Sequence, residues 1–383
     1  MIGSNLLNPL LSIFTKSLGA SSLQIGIVVS GYWIARVLME IPAGFLSARF
    51  GYYRLLVTGL SLSSVGSFLG SLATDPYTLT FFRAITGLGA PLFFGVAMTF
   101  IVNLFDESRR GSLMGLFQGV EYLGSFLGAS FSGYVVSLLD FRMSFVLSGV
   151  ISAIAVVLVT LPSNLRKMEA KGDNPHAPAL TPSAIRTILK SRNLPIVSSS
   201  IFAQFILGTG VLVTIFPLYA NQQLKMSLQE IGLLMGARSA GYTLSMFFMG
   251  YVSDRAGRKP VLFFGLIVTG VLAILLSMAY TFPLLTLLIF FIGMSTGAIW
   301  IVCPVLAAEG VSSSERGPAI GTYRTFLDLG SIFGPIIMTA TQASLGFSAC
   351  FYLSALILFA NLAPTLGIRE TVRKSNREKP KNS

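Results

Sequence analysis

Charge is what this 383-residue chain has least of. Only 11% of its residues are Asp, Glu, Lys or Arg, against roughly 25% in a typical soluble domain, too few to cover a water-facing surface. Histidine is nearly missing as well. His176 stands alone in a polar stretch, which rules out a histidine-built metal centre. The two cysteines, Cys303 and Cys350, lie in apolar runs with no CxxC spacing, and read as small buried hydrophobes rather than a disulfide. There is no phosphate-binding G-x-x-x-x-G-K-[ST], no H-E-x-x-H and no nucleophile elbow, so neither an enzyme site nor a cofactor is expected. No basic segment precedes the first apolar run, so no cleavable signal peptide is expected either.

What the chain has instead is length of apolar sequence. Hydrophobic residues make up 53%, mean hydropathy is +0.75, and continuous runs cover 54–73, 143–162, 261–280 and 346–368. About 20 residues of helix cross a ~30 Å hydrocarbon core. A transmembrane barrel needs short segments alternating with period two, whereas these runs are continuous and rich in Leu, Phe, Gly and Ser. A helix also satisfies its own backbone in lipid. The fold class that follows is an all-α polytopic membrane protein.

Breaks in the apolar pattern give twelve spans, near 1–15, 23–46, 54–73, 77–104, 111–138 and 143–162, then 195–220, 228–252, 260–279, 282–308, 317–342 and 346–368. The domain organisation is a six-span half over 1–162, a linker over 163–194, a second half over 195–368 and a basic tail over 369–383. Of the 27 Lys and Arg, twenty fall on one side, including the linker and the tail. Only Lys16, Arg142 and Lys225 fall on the other. The excess of positive charge assigns the first side to the cytoplasm of a multi-pass cell-membrane protein. It also accounts for the +12 net charge through anionic lipid, with no need for nucleic acid. Within the linker, TPSAIRTILKSR (181–192) carries a Thr cap, a proline at the first helical position and Ile185, Ile188 and Leu189 on one face. A short interfacial helix is expected there.

The chain repeats itself at a separation of 206 residues. GFLSARFGYYR (44–54) and GYVSDRAGRKP (250–260) share Gly44 with Gly250, Arg49 with Arg255 and Gly51 with Gly257. Gly26 likewise matches Gly232, Gly87 Gly293, Gly124 Gly330 and Gly128 Gly334. Two parallel six-span halves are a device of secondary transporters, with the solute site between the halves near the midplane. By the same offset, span one should begin before residue 1. The short MIGSNLLNPLLSIFTK is therefore expected to be a truncated first helix.

The turn GYVSDRAGRKP resembles the signature loop G-x-x-x-D-R-x-G-R-[RK] of the major facilitator superfamily. Gly250, Asp254, Arg255, Gly257, Arg258 and Lys259 all match it. RAITGLG (83–89) resembles the family's R-x-x-x-G-x-G motif. Span five resembles the drug/proton antiporter pattern G-x8-G-x3-G-P-x2-G-G at Gly115, Gly124, Gly128 and Gly133, with Ala129 and Ser132 in place of a proline and a glycine. The resemblance implies twelve helices in two pseudo-symmetric halves and a carrier working by alternating access. Through that fold, Asp254 would meet the N-terminus of span five near Arg110 and Gly111, latching the outward-open state. Ala48, near Arg316 and Gly317, would form no such latch.

Seven ionisable residues fall inside spans: Arg36, Glu40, Arg83, Glu121, Arg238, Arg324 and Asp328. A charge at mid-bilayer costs about 2.5–3.5 kcal/mol on the mildest scale, so each needs a partner or a wet cavity. Arg36 with Glu40, and Arg324 with Asp328, are four apart on one helix. Packing clusters and functional groups read alike at this level. Glu121 and Arg238 lack a charged partner on their own helices, and the family fold makes them a candidate bridge between halves. Glu121, Asp328 and Glu40 are the candidate coupling carboxylates, with Arg83 tuning one of them. Arg36, Arg238 and Arg324 are candidate cavity charges. Phe93, Phe94, Phe216, Tyr219 and Trp300 are candidate aromatic contacts, although packing explains aromatic residues in spans at least as often.

The expectation is a monomeric secondary active transporter in a lipid bilayer, expelling a small amphipathic solute against protons or Na⁺. Four intramembrane arginines against three acids also suit import of an organic anion, and a transport-inactive receptor is the remaining alternative. The residues name neither the solute nor the direction.

Overall fold

The computed structural model describes residues 1–104, 107–161, 191, 193–309, 311 and 316–368. The side chains at 41, 44, 45, 48, 99, 101–104, 107–115 and 316–318 lie outside that description. All regular backbone among the described residues is helical. The expected interfacial helix over 181–192, apart from residue 191, and the tail over 369–383 lie outside the described residues.

The repeat is written into the backbone. Spans two and eight run Ser22–Phe50 and Leu228–Ala256, and spans three and nine run Tyr52–Ser71 and Arg258–Leu276. Spans four and ten run Pro76–Leu104 and Phe282–Glu309, and spans six and twelve open at Phe141 and Phe347. Every one of these pairs starts 206 residues apart. Spans two and eight begin with the same reciprocal cap. Ser21 accepts from the Gln24 amide at 3.3 Å while its own N–H donates to Gln24 Oε1 at 2.8 Å. Ser227 and Glu230 repeat both distances, satisfying two otherwise unpaired donors at each helix start. Positive φ recurs at the same offset, at Gly51 (+81°) and Gly257 (+96°), and at Asp140 (+80°) and Gly346 (+84°). The glycine pair makes a tight turn without steric cost.

Spans five and eleven are Glu107–Leu139 and Arg316–Leu345. The first span of each half departs from regular α-helix. Span one is Ile2–Leu7, a 3₁₀ turn over Asn8–Leu10 that contains Pro9, and Leu11–Ser17. Span seven is Asn193–Phe205, a ten-residue π-helical stretch over Ile206–Ile215, and Phe216–Gln222. Such interruptions are uncommon and collect at functional sites.

Eight of the described helices are long and apolar enough to cross a membrane. Spans three, eight and eleven also have the length, at 20, 29 and 30 residues, but Gly, Ser and charged residues lower their hydropathy. Burial is inverted relative to a soluble protein. Leu38, Leu138, Phe247 and Tyr280 are 69–79% exposed, whereas Ser12, Ser132, Thr269 and Ser331 are fully buried. Large apolar side chains face lipid, and small polar ones let helices approach.

By contact the described chain forms two units. The first is Met1–Pro178 with Leu212–Gly236 and Pro335–Ser344; the second is Ala179–Val211, Ala237–Gly334 and Leu345–Ser383. In the first unit, Ser64 donates to the Gly149 carbonyl at 2.9 Å and Asn5 to Ser125 at 3.1 Å. Parts of spans seven, eight and eleven join this unit because glycines seal them onto it. A Cβ on Gly232 would fall 2.7 Å from Gly133 N, and one on Gly26 would fall 2.9 Å from the Pro335 carbonyl. Ser22 also donates to Gln342 at 2.8 Å. Gly26 and Gly232 are repeat equivalents, so two equivalent helix pairs close the end that carries Lys16, Arg142 and Lys225. In the second unit, Gln204 donates to the Thr296 carbonyl at 2.9 Å, and Thr269 to Ser295 at 2.8 Å.

Candidate functional site

The polar chemistry gathers in two places, the turns between the second and third spans of each half and the charges inside the membrane. At the charged turn, Gly257 reverses the chain and Arg258 opens span nine. Arg258 lies 3.5 Å from Asp254 and also pairs with Glu309 at the end of span ten. Lys259 donates to the Leu366 carbonyl at 2.7 Å, and Arg255 stacks 4.3 Å over the Tyr251 ring. The Asp254 side chain is 69% exposed, while a Cβ on Gly250 would meet nothing within 4 Å among the described residues. In the other turn Gly51 donates to the Ser47 carbonyl at 3.1 Å and Arg49 stacks 5.4 Å over Phe50. Gly44 lies within the helix Ser22–Phe50, but its surroundings are outside the described residues. So are the expected contacts at Ala48, Arg110, Gly111, Arg316 and Gly317.

Sequence reasoning passed over Glu309. The signal was available: the repeat equivalents of Arg258 and Glu309 are Tyr52 and Asn103. Both members of the pair are absent from the first half together, which avoids leaving one buried charge without its partner. In their place Tyr52 packs its ring 5.6 Å from Phe100.

Inside the membrane, Arg36 and Glu40 form a salt bridge at 3.6 Å with about a quarter of each side chain exposed. Arg36 also lies 5.0 Å over the Trp33 ring. Asp328 is 2% exposed on span eleven, with Arg324 half-buried one turn before it. Glu121 is half-buried on span five. Glu121 and Arg238 belong to different units.

Two arginines occupy related positions. Arg83, 6% exposed on span four, donates to Asn8 Oδ1 at 3.3 Å in the broken part of span one. Its guanidinium lies 5.1 Å from the Tyr32 ring of span two. Arg238 is the repeat equivalent of Tyr32. Gly87 packs on the Tyr32 carbonyl, and its equivalent Gly293 packs on the Arg238 carbonyl. Each half therefore carries one arginine among its first, second and fourth spans, from span four in one half and from span eight in the other. The sequence located both charges but did not show this equivalence, because their carriers differ.

The candidate aromatic residues divide by exposure. Phe216 and Tyr219 are 0% and 2% exposed, buried along with Ile215 and Leu212 of the same span. Phe93 and Phe94 meet edge-to-face at 4.9 Å, and Phe93 packs against the cluster that includes Leu55, Leu92 and Val96. Trp300 is half-buried and pairs with Phe205 at 5.9 Å. An apolar groove of about 420 Å³, lined by Met249, Val252, Phe264, Phe291 and Met294 among others, offers one hydroxyl. That hydroxyl, on Ser295, already bonds Ile292 and Thr269. Both cysteines are buried. Among the described residues, no cluster of His, Cys, Asp and Glu is placed to hold a metal.

The Major Facilitator Superfamily model matches residues 1–227 and 199–383. An uncharacterized MFS-type transporter of Methanocaldococcus jannaschii is 22% identical, over 93% of this chain and 92% of its own. Multidrug resistance protein 2 of Bacillus subtilis is 22% identical over 88% and 84%. The quinolone resistance protein NorA of Staphylococcus aureus is 21% identical over 88% and 86%. The crystal structure of a variant of the nucleoside transporter NupG superposes with a TM-score of 0.77 at 16% identity, covering 96% of both chains, a likeness of fold. The duplicated six-helix halves, the signature turn and a family match along the whole chain agree: this protein belongs to the Major Facilitator Superfamily of membrane transporters.

Proposed function

We propose that the protein is a proton-coupled carrier, not an enzyme, that expels a small amphipathic organic solute by alternating access. The observation that carries the coupling is Asp328, a carboxylate 2% exposed within a membrane-spanning helix. A carboxylate inside a membrane-spanning helix is costly unless it is paired or lies on an ion or proton pathway, so such a residue is the group able to carry a proton when access changes. Glu121 and the Arg36-paired Glu40 are the further coupling candidates. The relatives named for multidrug and quinolone resistance support the outward direction.

The twenty basic residues of one side assign the linker and tail to the cytoplasm. The end closed by Gly26, Gly133 and Gly232 is then the outer end, and this conformation is sealed outside. A monomer suffices, because one chain supplies both halves.

Inside-out vesicles with an acidified lumen, so that protons run outward down their gradient, test this reading. Solute should accumulate in them, and Glu121→Gln or Asp328→Asn should remove the gradient dependence. Accumulation driven by Na⁺ instead would replace the coupling ion. Solute leaving these vesicles along with protons would favour the import of an organic anion, a direction that the two interior arginines also suit.

A further inference from the structure

The two interior arginines differ in how they are satisfied. Arg83 has an amide oxygen and a ring face. Among the described residues the Nε of Arg238 is buried without a hydrogen-bond partner, and the group that acts on its charge is Tyr242, one turn along the same helix. Holding a bare guanidinium inside the membrane costs several kcal/mol on insertion scales, and the charge of arginine cannot be discarded. An acceptor arriving from outside the fold would offset that cost.

There is room for one. Gly208 lies in the π-helical stretch of span seven, and among the described residues a Cβ built on it would meet a single atom within 4 Å, Arg238 Nη2 at 3.9 Å. The guanidinium thus faces open space across an interrupted helix, the arrangement that carriers use for solute sites. The wall beside that space is fixed. Gln204 clamps span seven to the Thr296 carbonyl, and Gly293 and Gly297 bring span ten against span eight. Phe205, one turn along the helix from Gly208, holds its ring 5.9 Å from that of half-buried Trp300. An aromatic surface therefore lies about 5 Å further along span seven than the cation, at ~1.5 Å rise per residue. That separation matches a carboxylate joined to a ring.

We propose that Arg238 is the anion-binding residue of a site taking an aromatic organic acid, with the carboxylate on Arg238 across from Gly208 and the ring against Phe205 and Trp300. The guanidinium fork binds a carboxylate through two parallel hydrogen bonds, and the half-dry surroundings strengthen them. This names a substrate class for the proposed transporter and rests on that reading for its physiological role. Occupancy of the site, however, can be measured without transport.

The chain has two tryptophans, Trp33 and Trp300, so Trp33→Phe leaves Trp300 as a reporter beside the site. Full-length Trp33→Phe protein in nanodiscs is titrated with 2-naphthoate and with 2-naphthamide, its neutral counterpart of the same size. Naphthoate should quench Trp300 and bind about ten-fold tighter or more, the worth of a hydrogen-bonded charge. Arg238→Gln should bring the ratio of the two affinities to about one, and Arg238→Lys should keep most of it. Equal affinities in the parent, no binding of either probe, or a preference that survives Arg238→Gln would each overturn the proposal. If Arg238→Gln fails to fold, the parent's acid-to-amide ratio and Arg238→Lys carry the test. Naphthoate binding in a protein that moves no solute would uphold this site while removing the transport reading.

Discussion

Replacing Gly232 by valine should push the carrier out of the conformation described. Its missing side chain is what allows spans five and eight to touch. A Cβ there would lie 2.7 Å from Gly133 N, 3.0 Å from Ser132 Oγ and 3.2 Å from Gly133 Cα. Two of those atoms are backbone and cannot rotate away, so the helices must separate. Overpacking of this kind costs about 1–3 kcal/mol. Applied to one state of a two-state carrier, that shifts the equilibrium roughly 5- to 150-fold. The reporter is a cysteine at Gln229, which packs at the same seal, labelled with a membrane-impermeant maleimide. Cys303 and Cys350 are both fully buried and give little background. Labelling of Gln229→Cys should accelerate at least about five-fold in the Gly232→Val background. Gly119→Ala, where a Cβ meets nothing within 4 Å, should leave the rate alone. A folded Gly232→Val protein labelled at the parent rate would refute the claim that this glycine contact holds the end closed.

Glu309→Gln should lower the thermal midpoint by leaving Arg258 with only the exposed Asp254 as an ion-pair partner. With 17% and 20% of the two side chains exposed, the loss should be about 1–3 kcal/mol, below the 3–5 of a fully buried pair. Adding Arg258→Gln should restore part of it, as a double-mutant cycle would read. Asn8→Ala should cost about 1–3 kcal/mol in the same assay by removing the acceptor from buried Arg83, and Asn8→Asp should not. The loop before span four gives a pH test. The amide of Thr78 and its hydroxyl hold Asp75 below its ordinary value of 3.8. A lowered folded pKa means this contribution is fully present above the ordinary value and fades as pH falls through the folded one. Hydrogen exchange at the Thr78 amide should therefore lose protection at acid pH beyond the intrinsic trend, and Asp75→Asn should remove that excess.

Much of this architecture was legible because helices in lipid must be apolar for a fixed length, and because duplication writes its offset into every turn. The glycines of the two signature turns showed where the chain reverses, and the structure adds that Asp140 and Gly346 reverse it at the same offset. Span one and span seven were the hardest to read. Nothing in ILGTGVLVTI announces a π-helix, since its apolar residues and two glycines suit an ordinary span equally well. Glu309 was missed because a lone acid at a span end resembles any other loop residue until Arg258 folds against it. Phe216 and Tyr219 are buried in this structure, a state that hydropathy does not encode, since it cannot distinguish a wall from the packing behind it.

The central claim is that a carboxylate buried in span eleven couples solute to protons. Proteoliposomes loaded with a pH-sensitive dye, given an outward solute gradient and no initial pH gradient, test it most directly. Solute flux should drive counterflowing protons in the parent, with Asp328→Asn moving solute by exchange but no protons. Proton movement that persists undiminished in a folded Asp328→Asn protein would contradict the account.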